Sequence, residues 1–286
     1  MAEVIRIGGV PEHFNLPWRL AADAGAFAGT GVEVAWREYS AGSGELTRAL
    51  RDNELDLAVV LTEGAVADIL NHDRNRIAKV WVASPLVWGI HVAAQSNFDD
   101  VRDTRGRRIA ISRYGSGSHL IPIVDAAERG WPTDGMEFVV VNGLDGAREA
   151  LARGRADVFF WERHMTQPLV DAGEFRRVGE REVPWPAFVV SGRRDVLERR
   201  NREVRAVLDV AARAAVNVKR RKSTAPLVAE TFGLRGEDVD RWLAHVRWAR
   251  GYRCPAAALE RAAGALQAQG VVPAGRIDAA RLWFRL

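Results

Sequence analysis

The chain has 286 residues, of which 48% are hydrophobic and 27% charged, a balance that predicts a globular protein and excludes disordered and collagen-like chains. Its single cysteine, Cys254, excludes disulfide frameworks, zinc ribbons and iron–sulfur clusters. The net charge of +4 comes from residues 190–286, which hold 20 basic and 10 acidic residues on helical patterns. That distribution indicates a solvated helix face rather than a nucleic-acid surface.

Before the first apolar run, at residues 4–10, the sequence has no charged start and no long hydrophobic segment of a signal peptide. A cytoplasmic location is therefore expected for the chain as written, and a periplasmic or extracellular one if a leader was removed. Membrane insertion is not expected, since no apolar stretch reaches the ~20 residues of a span.

Short apolar runs alternate with helical patterns over the first ninety residues, which is the order of a parallel sheet covered by helices. Thr62 is a predicted N-cap, with Glu63 in the first turn of its helix. The predicted strands of this part are residues 5–10, 32–39 and 55–61, and the predicted helices are residues 16–27, 44–50 and 63–70.

A second series of the same kind follows Trp88, and the rest of the chain has the apolar spacing of helices. The predicted strands are residues 90–94, 108–111, 137–141, 157–161 and 188–190. The predicted helices are a stretch from about residue 119 to 129, and then residues 145–153, 197–218, 225–232, 239–248 and 256–269.

Two segments rich in proline, tryptophan and β-forming residues, at 85–91 and 184–188, are typical of stiff extended connectors. We therefore predict an α/β fold of two lobes, each a mainly parallel sheet flanked by helices, with extra C-terminal helices. The first lobe comprises residues 1–88 and 190–286, and the second is inserted as residues 89–189. Such lobes close on a ligand by a hinge motion.

Four polar turns follow predicted strands, where the ligand crevice of an open α/β sheet lies and where helix N-termini present free N–H groups. They are the turn of His13, Phe14 and Asn15; residues 40–44; the turn of Thr62 and Glu63; and residues 114–119.

The last of these turns contains Ser116, Gly117, Ser118 and His119. It lacks the third glycine of a dinucleotide fingerprint, and the chain has no phosphate-binding loop of the GxxxxGK[ST] type. The turn is either a plain tight turn or a ligand cradle, and the cradle is favoured because three side chains add hydrogen-bonding groups to the backbone ones.

A tryptophan and a carboxylate end another strand, at Trp161 and Glu162. They can supply a flat apolar wall and an acceptor for an amine or hydroxyl, or they can be a core tryptophan beside a surface salt bridge. The six histidines show no metal-ligand spacing, no GxSxG elbow is present, and Cys254 is expected to be an inert thiol. No metal or cofactor is predicted.

The order of several short motifs resembles the type II periplasmic-binding-protein fold. More narrowly, it is similar to the sulfonate, taurine, nitrate and thiamine-pyrimidine-precursor group of solute-binding proteins of ABC transporters. The motifs are Ile-Arg-Ile-Gly-Gly-Val at 5–10, Ala-Gly-Ser-Gly at 41–44, Leu-Asp-Leu-Ala-Val at 55–59, Arg-Gly-Arg-Arg-Ile-Ala-Ile at 105–111, and Arg-Gly-Arg-Ala-Asp at 153–157.

The resemblance implies a small solute held between the lobes and contacted by the turn residues. The predicted ligand-binding residues are His13, Asn15, Ser43, Thr62, Glu63, Tyr114, Ser116, Gly117, Ser118, His119, Trp161 and Glu162. The expected ligand is a small anionic or zwitterionic organic molecule that is sulfonate-, carboxylate- or pyrimidine-precursor-like, and a transporter permease is an expected partner if the protein is exported.

Two other functions remain open on the same fold. One is an enzyme of thiamine-precursor or organosulfur metabolism, with His119 or His13 as acid/base beside Glu63. The cysteine motifs of the two enzyme branches that share the fold are missing from this sequence. The other is a ligand-sensing regulatory domain, although no helix-turn-helix module precedes residue 4. The expected function is therefore binding without catalysis.

Overall fold

A computed structural model describes residues 3–286, and in this part of the chain the strands form two five-stranded sheets flanked by helices. The two-lobed α/β architecture predicted from the sequence is confirmed. None of the described helices combines the length and the apolar character needed to cross a membrane.

The N-terminal part alternates strands and helices, as the apolar periodicity predicted. Trp18 from its first helix is fully buried, with its ring 5.2 Å from that of Trp81. The elements are β1 (Val4–Gly9), α1 (Leu16–Asp23), β2 (Glu33–Glu38), α2 (Ser43–Arg51), β3 (Leu57–Leu61), α3 (Thr62–His72) and β4 (Asn75–Val82).

The middle of the chain repeats this alternation and forms the second sheet. Its elements are β5 (Val87–Ala93), β6 (Ile109–Ile111), α4 (Gly117–Glu128), β7 (Phe138–Val140), α5 (Leu144–Ala152), β8 (Val158–Glu162), α6 (Gln167–Asp171) and β9 (Phe175–Glu182).

The chain then returns to the first sheet and ends in helices. These elements are β10 (Phe188–Arg193), α7 (Arg194–Arg199), α8 (Asn201–Arg220), α9 (Thr224–Phe232), α10 (Gly236–His245), α11 (Ala256–Ala268) and α12 (Ala279–Leu282).

Both sheets have the same plan. The first has the strand order β2-β1-β3-β10-β4, and the second β7-β6-β8-β5-β9. In each, three parallel strands adjoin one antiparallel strand, which is β10 in the first sheet and β5 in the second. Because parallel strands end at the same edge, the loops after them collect at one side of each sheet.

Two strands escaped the sequence analysis because charged residues interrupt their apolar pattern. In β4, Lys79 is fully buried, donates to the carbonyl of Gly251 at 2.7 Å and lies over the Tyr252 ring. In β9, at the edge of the second sheet, Arg176 pairs with Asp99. The residues that compensate both charges are distant in sequence. The spacing of apolar residues along a strand does not detect such partners.

Two predicted details of helices are corrected by the structure, at Thr62 and at the end of α10, and one helix contains a proline. Thr62 is the first residue of α3 rather than its N-cap, and no side chain caps that helix. Pro122 lies in the second turn of α4, which begins at Gly117, so the Ser118 carbonyl has no helical donor. Helix α10 ends at His245, three residues before the predicted end, because Val246 is extended.

Two short segments, residues 83–86 and 183–187, cross between the sheets, and we call them the hinge. They are hydrogen-bonded to each other, with the Ala187 amide donating to the Ser84 carbonyl at 3.1 Å. The start of α3 holds the second segment: the Thr62 hydroxyl donates to the Pro186 carbonyl at 2.5 Å, and Trp185 Nε1 donates to Glu63 Oε2 at 2.9 Å.

We predict that Glu63→Gln raises stability above neutral pH, because glutamine keeps the acceptor for Trp185 and carries no buried charge. Burial raises the pKa of Glu63 from 4.5 to about 7, so the folded protein favours the protonated carboxyl. The stability that this preference contributes is complete below the unfolded-state pKa and is lost as the pH rises through about 7. At about pH 8 the unfolding free energy of the variant should exceed that of the wild type by on the order of 2 kcal/mol. Denaturant unfolding at several pH values measures this, and the unfolding free energy of the variant should depend less steeply on pH.

The matched control is Glu237→Gln, which removes an exposed carboxylate from the first turn of α10. Its pH profile should run parallel to that of the wild type. A Glu63→Gln profile equally parallel to the wild type would contradict the role given to this carboxyl.

Candidate functional site

A cavity of about 550 Å³ lies between the two sheets, at the edges where their parallel strands end. Residues at or just after the ends of β1, β2 and β3 line one side of it, and residues at or just after the ends of β6, β7 and β8 line the other. The cavity is therefore built from both lobes.

Three helices begin at the cavity wall. Helix α2 follows Gly42, α4 follows Ser116, and α5 follows Gly143. Gly42 has a φ of 81°, a left-handed conformation that favours glycine. Helix starts leave backbone N–H groups without helical acceptors, and in residues 3–286 no acceptor is found for the amides of Ser43 and Ser118. The wall thus presents the positive ends of three helices to one space.

Three serines of the second lobe form a hydroxyl cluster in the same wall. Ser118 Oγ accepts the Ser112 amide at 2.9 Å and lies 3.0 Å from Ser116 Oγ. Gly117 between them is required by packing, because a Cβ there would lie 2.5 Å from the Trp88 ring. On the opposite side, Ser43 Oγ accepts the Leu61 amide at 2.9 Å and so ties the start of α2 to the end of β3.

Aromatic rings supply the apolar part of the wall. Trp161 is half-buried and stacks on Phe159 with ring centroids 5.1 Å apart, while Trp88 and Phe188 are buried and also line the cavity. Within the described residues, Trp88 Nε1 has no acceptor. These rings can enclose the body of an organic ligand.

The charged side chains of the cavity wall are all acidic. Among the described residues that line it there is no lysine, arginine or histidine, whereas Glu12, Asp145 and Glu162 are present. Burial raises the pKa of Glu162 to about 7, and burial together with the charge of Glu162 raises the pKa of Glu12 to about 8. Asp145 is exposed at the rim.

The structure brings half of the sequence-predicted residues to the cavity. Those that line it are Ser43, Ser116, Gly117, Ser118, Trp161 and Glu162. The other half lie elsewhere, and each has an identifiable structural contact.

Thr62 and Glu63 contact the hinge rather than the cavity, as described above. Tyr114 and His119 line a separate outer groove, where His119 Nδ1 accepts the Gly115 amide at 3.1 Å and its ring packs against Phe138. The structure therefore does not gather His119 and Glu63 as an acid/base pair in the cavity.

His13 and Asn15 are fully buried behind the cavity wall. Asn15 Nδ2 donates to the Val10 carbonyl at 2.9 Å. His13 packs between Phe14 and Trp242, with each ring centroid 4.4 Å from its own, and burial holds its pKa well below the ordinary value. Both residues shape the loop after β1.

Several lining residues were not predicted. They include Glu12, Trp88, which was predicted as part of a connector, and the turn before α5. That turn had a detectable signal, since Asn142 and Gly143 follow a strand and precede a helix, as was predicted for the other four turns. Among residues 3–286, no group of three His, Cys, Asp or Glu side chains is arranged to hold a metal ion.

Comparison with known proteins agrees with this architecture. Residues 88–181 match the family model described as Ca3427-like PBP, where PBP stands for periplasmic binding protein. Among curated protein sequences, none is significantly similar to this chain.

Solved structures match over almost the whole length. The Candida albicans CA3427 gene product, described as having the generic periplasmic-binding-protein fold, superposes with a TM-score of 0.89 at 23% identity, over 98% of this chain and 94% of the other. The alkanesulfonate-binding protein SsuA of Xanthomonas axonopodis pv. citri, bound to MOPS, gives 0.82 at 21% identity over 100% of both chains.

The periplasmic aliphatic sulphonate-binding protein SsuA of Escherichia coli gives a TM-score of 0.73 at 17% identity, over 100% of this chain and 93% of the other. The repeated sheet plan, the cavity between the sheets and these matches lead to one assignment: the chain has the periplasmic-binding-protein fold.

Proposed function

We propose that the protein binds a small organic molecule carrying a sulfonate or carboxylate group in the cavity between its lobes, without transforming it. The observation that carries the proposal is the convergence of three helix N-termini, from both lobes, on one enclosed space. Backbone N–H groups at helix starts bind anions without a basic side chain.

The chemistry of the wall fits an anionic group attached to an organic body. Ser43 from the first lobe and Ser118 from the second lie beside the free amides and add hydroxyl groups that can donate to oxygens, whereas the Ser116 hydroxyl already donates to the Arg113 carbonyl at 2.7 Å. Trp88 and Trp161 cover the remaining surface. The volume of about 550 Å³ lies within the range of small-molecule sites in proteins.

The similar structures support this ligand class. Two of them are sulfonate-binding proteins by name, and one of these is bound to MOPS, a sulfonate with a ring at the other end. Binding rather than catalysis is favoured because His13, His119 and Glu63 lie outside the cavity.

Closure of the lobes is the second element of the proposal, because two polar contacts bridge them. The Arg113 guanidinium, from the second lobe, donates to the carbonyl of Ala41 beside the start of α2. On another face, Arg235 Nε lies 3.0 Å from the Asp171 carboxylate. These contacts are made only when the lobes are close, so they stabilise the state that encloses the ligand.

The first test measures MOPS binding by calorimetry in a phosphate buffer. The wild type should bind, and both Ser118→Ala and Trp161→Ala should weaken binding by about tenfold or more, or about 1.4 kcal/mol, since each removes part of the cavity wall. Trp131→Ala removes a tryptophan remote from this cavity and should leave the affinity unchanged. Unchanged affinity in both cavity variants, with all proteins folded, would contradict this location.

The second test concerns closure. Arg113→Met removes the donor to Ala41 and should increase the dissociation rate of MOPS about tenfold, with little effect on the association rate, because the open state is unaltered. Stopped-flow tryptophan fluorescence can measure both rates. A slower association with an unchanged dissociation rate would contradict a closing role for Arg113.

A further inference from the structure

The most acidic part of the cavity wall is formed by one residue from each lobe. Glu12 lies in the loop after β1 of the first lobe, and Glu162 is the last residue of β8 in the second. Both side chains line the same cavity, and the charge of Glu162 adds to the effect of burial in raising the pKa of Glu12.

Glu162 is 4% exposed, yet its carboxyl faces the cavity with few partners. The carboxylate accepts two backbone amides, that of Met165 at 2.8 Å and that of His164, and among the described residues no side chain donates to Glu12 or to Glu162. A buried carboxylate without a cation costs free energy, which an appropriate partner removes.

The basic groups around this pair are directed elsewhere. The charges of Arg163 and Arg177 lower the pKa of Glu162 and so offset part of the rise caused by burial. Both side chains pair with Glu180, however, and neither lines the cavity. Burial lowers the pKa of His164 to about 4, and the buried His13 likewise favours the neutral form, so neither supplies a positive charge at neutral pH.

We propose that the cavity binds a zwitterion: an ammonium or other organic cation of the ligand lies between Glu12 and Glu162, while its anionic group lies at the helix starts. This inference rests on the proposed function and adds the charge of the ligand's second end. Trp161, which precedes Glu162 and lines the cavity, is placed to contribute an aromatic face to the same cation.

The pair also gives the cation a role in closure. Without a ligand, closing the lobes brings two carboxyls together in a poorly solvated space, which opposes closure unless one of them is protonated. A ligand cation replaces that repulsion with two attractions. Binding of a fixed positive charge should therefore expel protons from the pair, whereas binding of an anion near the pair should take protons up.

The experiment uses three probes with permanent charges: N-methylmorpholiniopropanesulfonate, cyclohexylpropanesulfonate, and N,N-dimethylmorpholinium. The first has both charges, the second only the sulfonate and the third only the cation. Calorimetry at neutral pH in buffers of different ionisation enthalpy gives the affinity and the number of protons exchanged. We expect the zwitterion to bind at least tenfold more tightly than cyclohexylpropanesulfonate and to release protons.

The variants Glu12→Gln and Glu162→Gln should each reduce this preference and the proton release. Folding should be maintained, because glutamine still accepts the Met165 amide and the buried charge is removed. Glu237→Gln, an exposed carboxylate on α10, is the matched control and should behave as the wild type.

The outcomes separate this inference from the proposed function. Equal affinity for the first two probes, or tighter binding of cyclohexylpropanesulfonate with proton uptake, overturns the inference and leaves the anion site standing. Binding of N,N-dimethylmorpholinium alone supports the cation site and overturns the anion site. A preference for the zwitterion that survives both glutamine variants also overturns the inference, and binding of none of the probes overturns both.

Discussion

The hydrogen-bonded pair of segments that crosses between the sheets is the constraint on which the rest of the structure depends. Strand β5, which lies between β8 and β9, begins after the first crossing, and β10, which lies between β3 and β4, begins after the second. The first sheet is therefore completed only when the chain has crossed back. The crossing segments pair with each other, and the start of α3 holds the second one through Thr62 and Glu63. This arrangement fixes the hinge and brings the loop edges of both sheets to one cavity.

The cavity combines two electrostatic features that no single lobe provides. Helix starts from both lobes make part of the wall positive without a basic side chain, and Glu12 and Glu162 make another part negative. Both features are strengthened when closure removes water, because interactions between charges increase as the local dielectric falls. Under the proposed function, selectivity for a ligand depends on the spacing of its charges as well as on its size.

Much of this organisation could be predicted from the sequence, because it is local. Apolar runs followed by glycine–serine turns located the parallel strands, the turns that contain Ser43 and Ser118, and the strand end at Trp161. The rest depends on long-range contacts. Glu12 and Glu63 both follow strands, and only the path of the hinge, where Trp185 hydrogen-bonds to Glu63, leaves Glu12 as the one that faces the cavity. Charged strands such as β9 are not predicted for the same reason, since the residues that pair with their charges are remote in sequence.

The central claim is that one enclosed site between the lobes receives the ligand, and a crystal structure of the protein with MOPS tests it most directly. The account predicts the sulfonate at the starts of α2, α4 and α5, with the ring against Trp161 and both lobes in contact with the molecule. MOPS bound in the outer groove beside His119, or held by one lobe only, would contradict it.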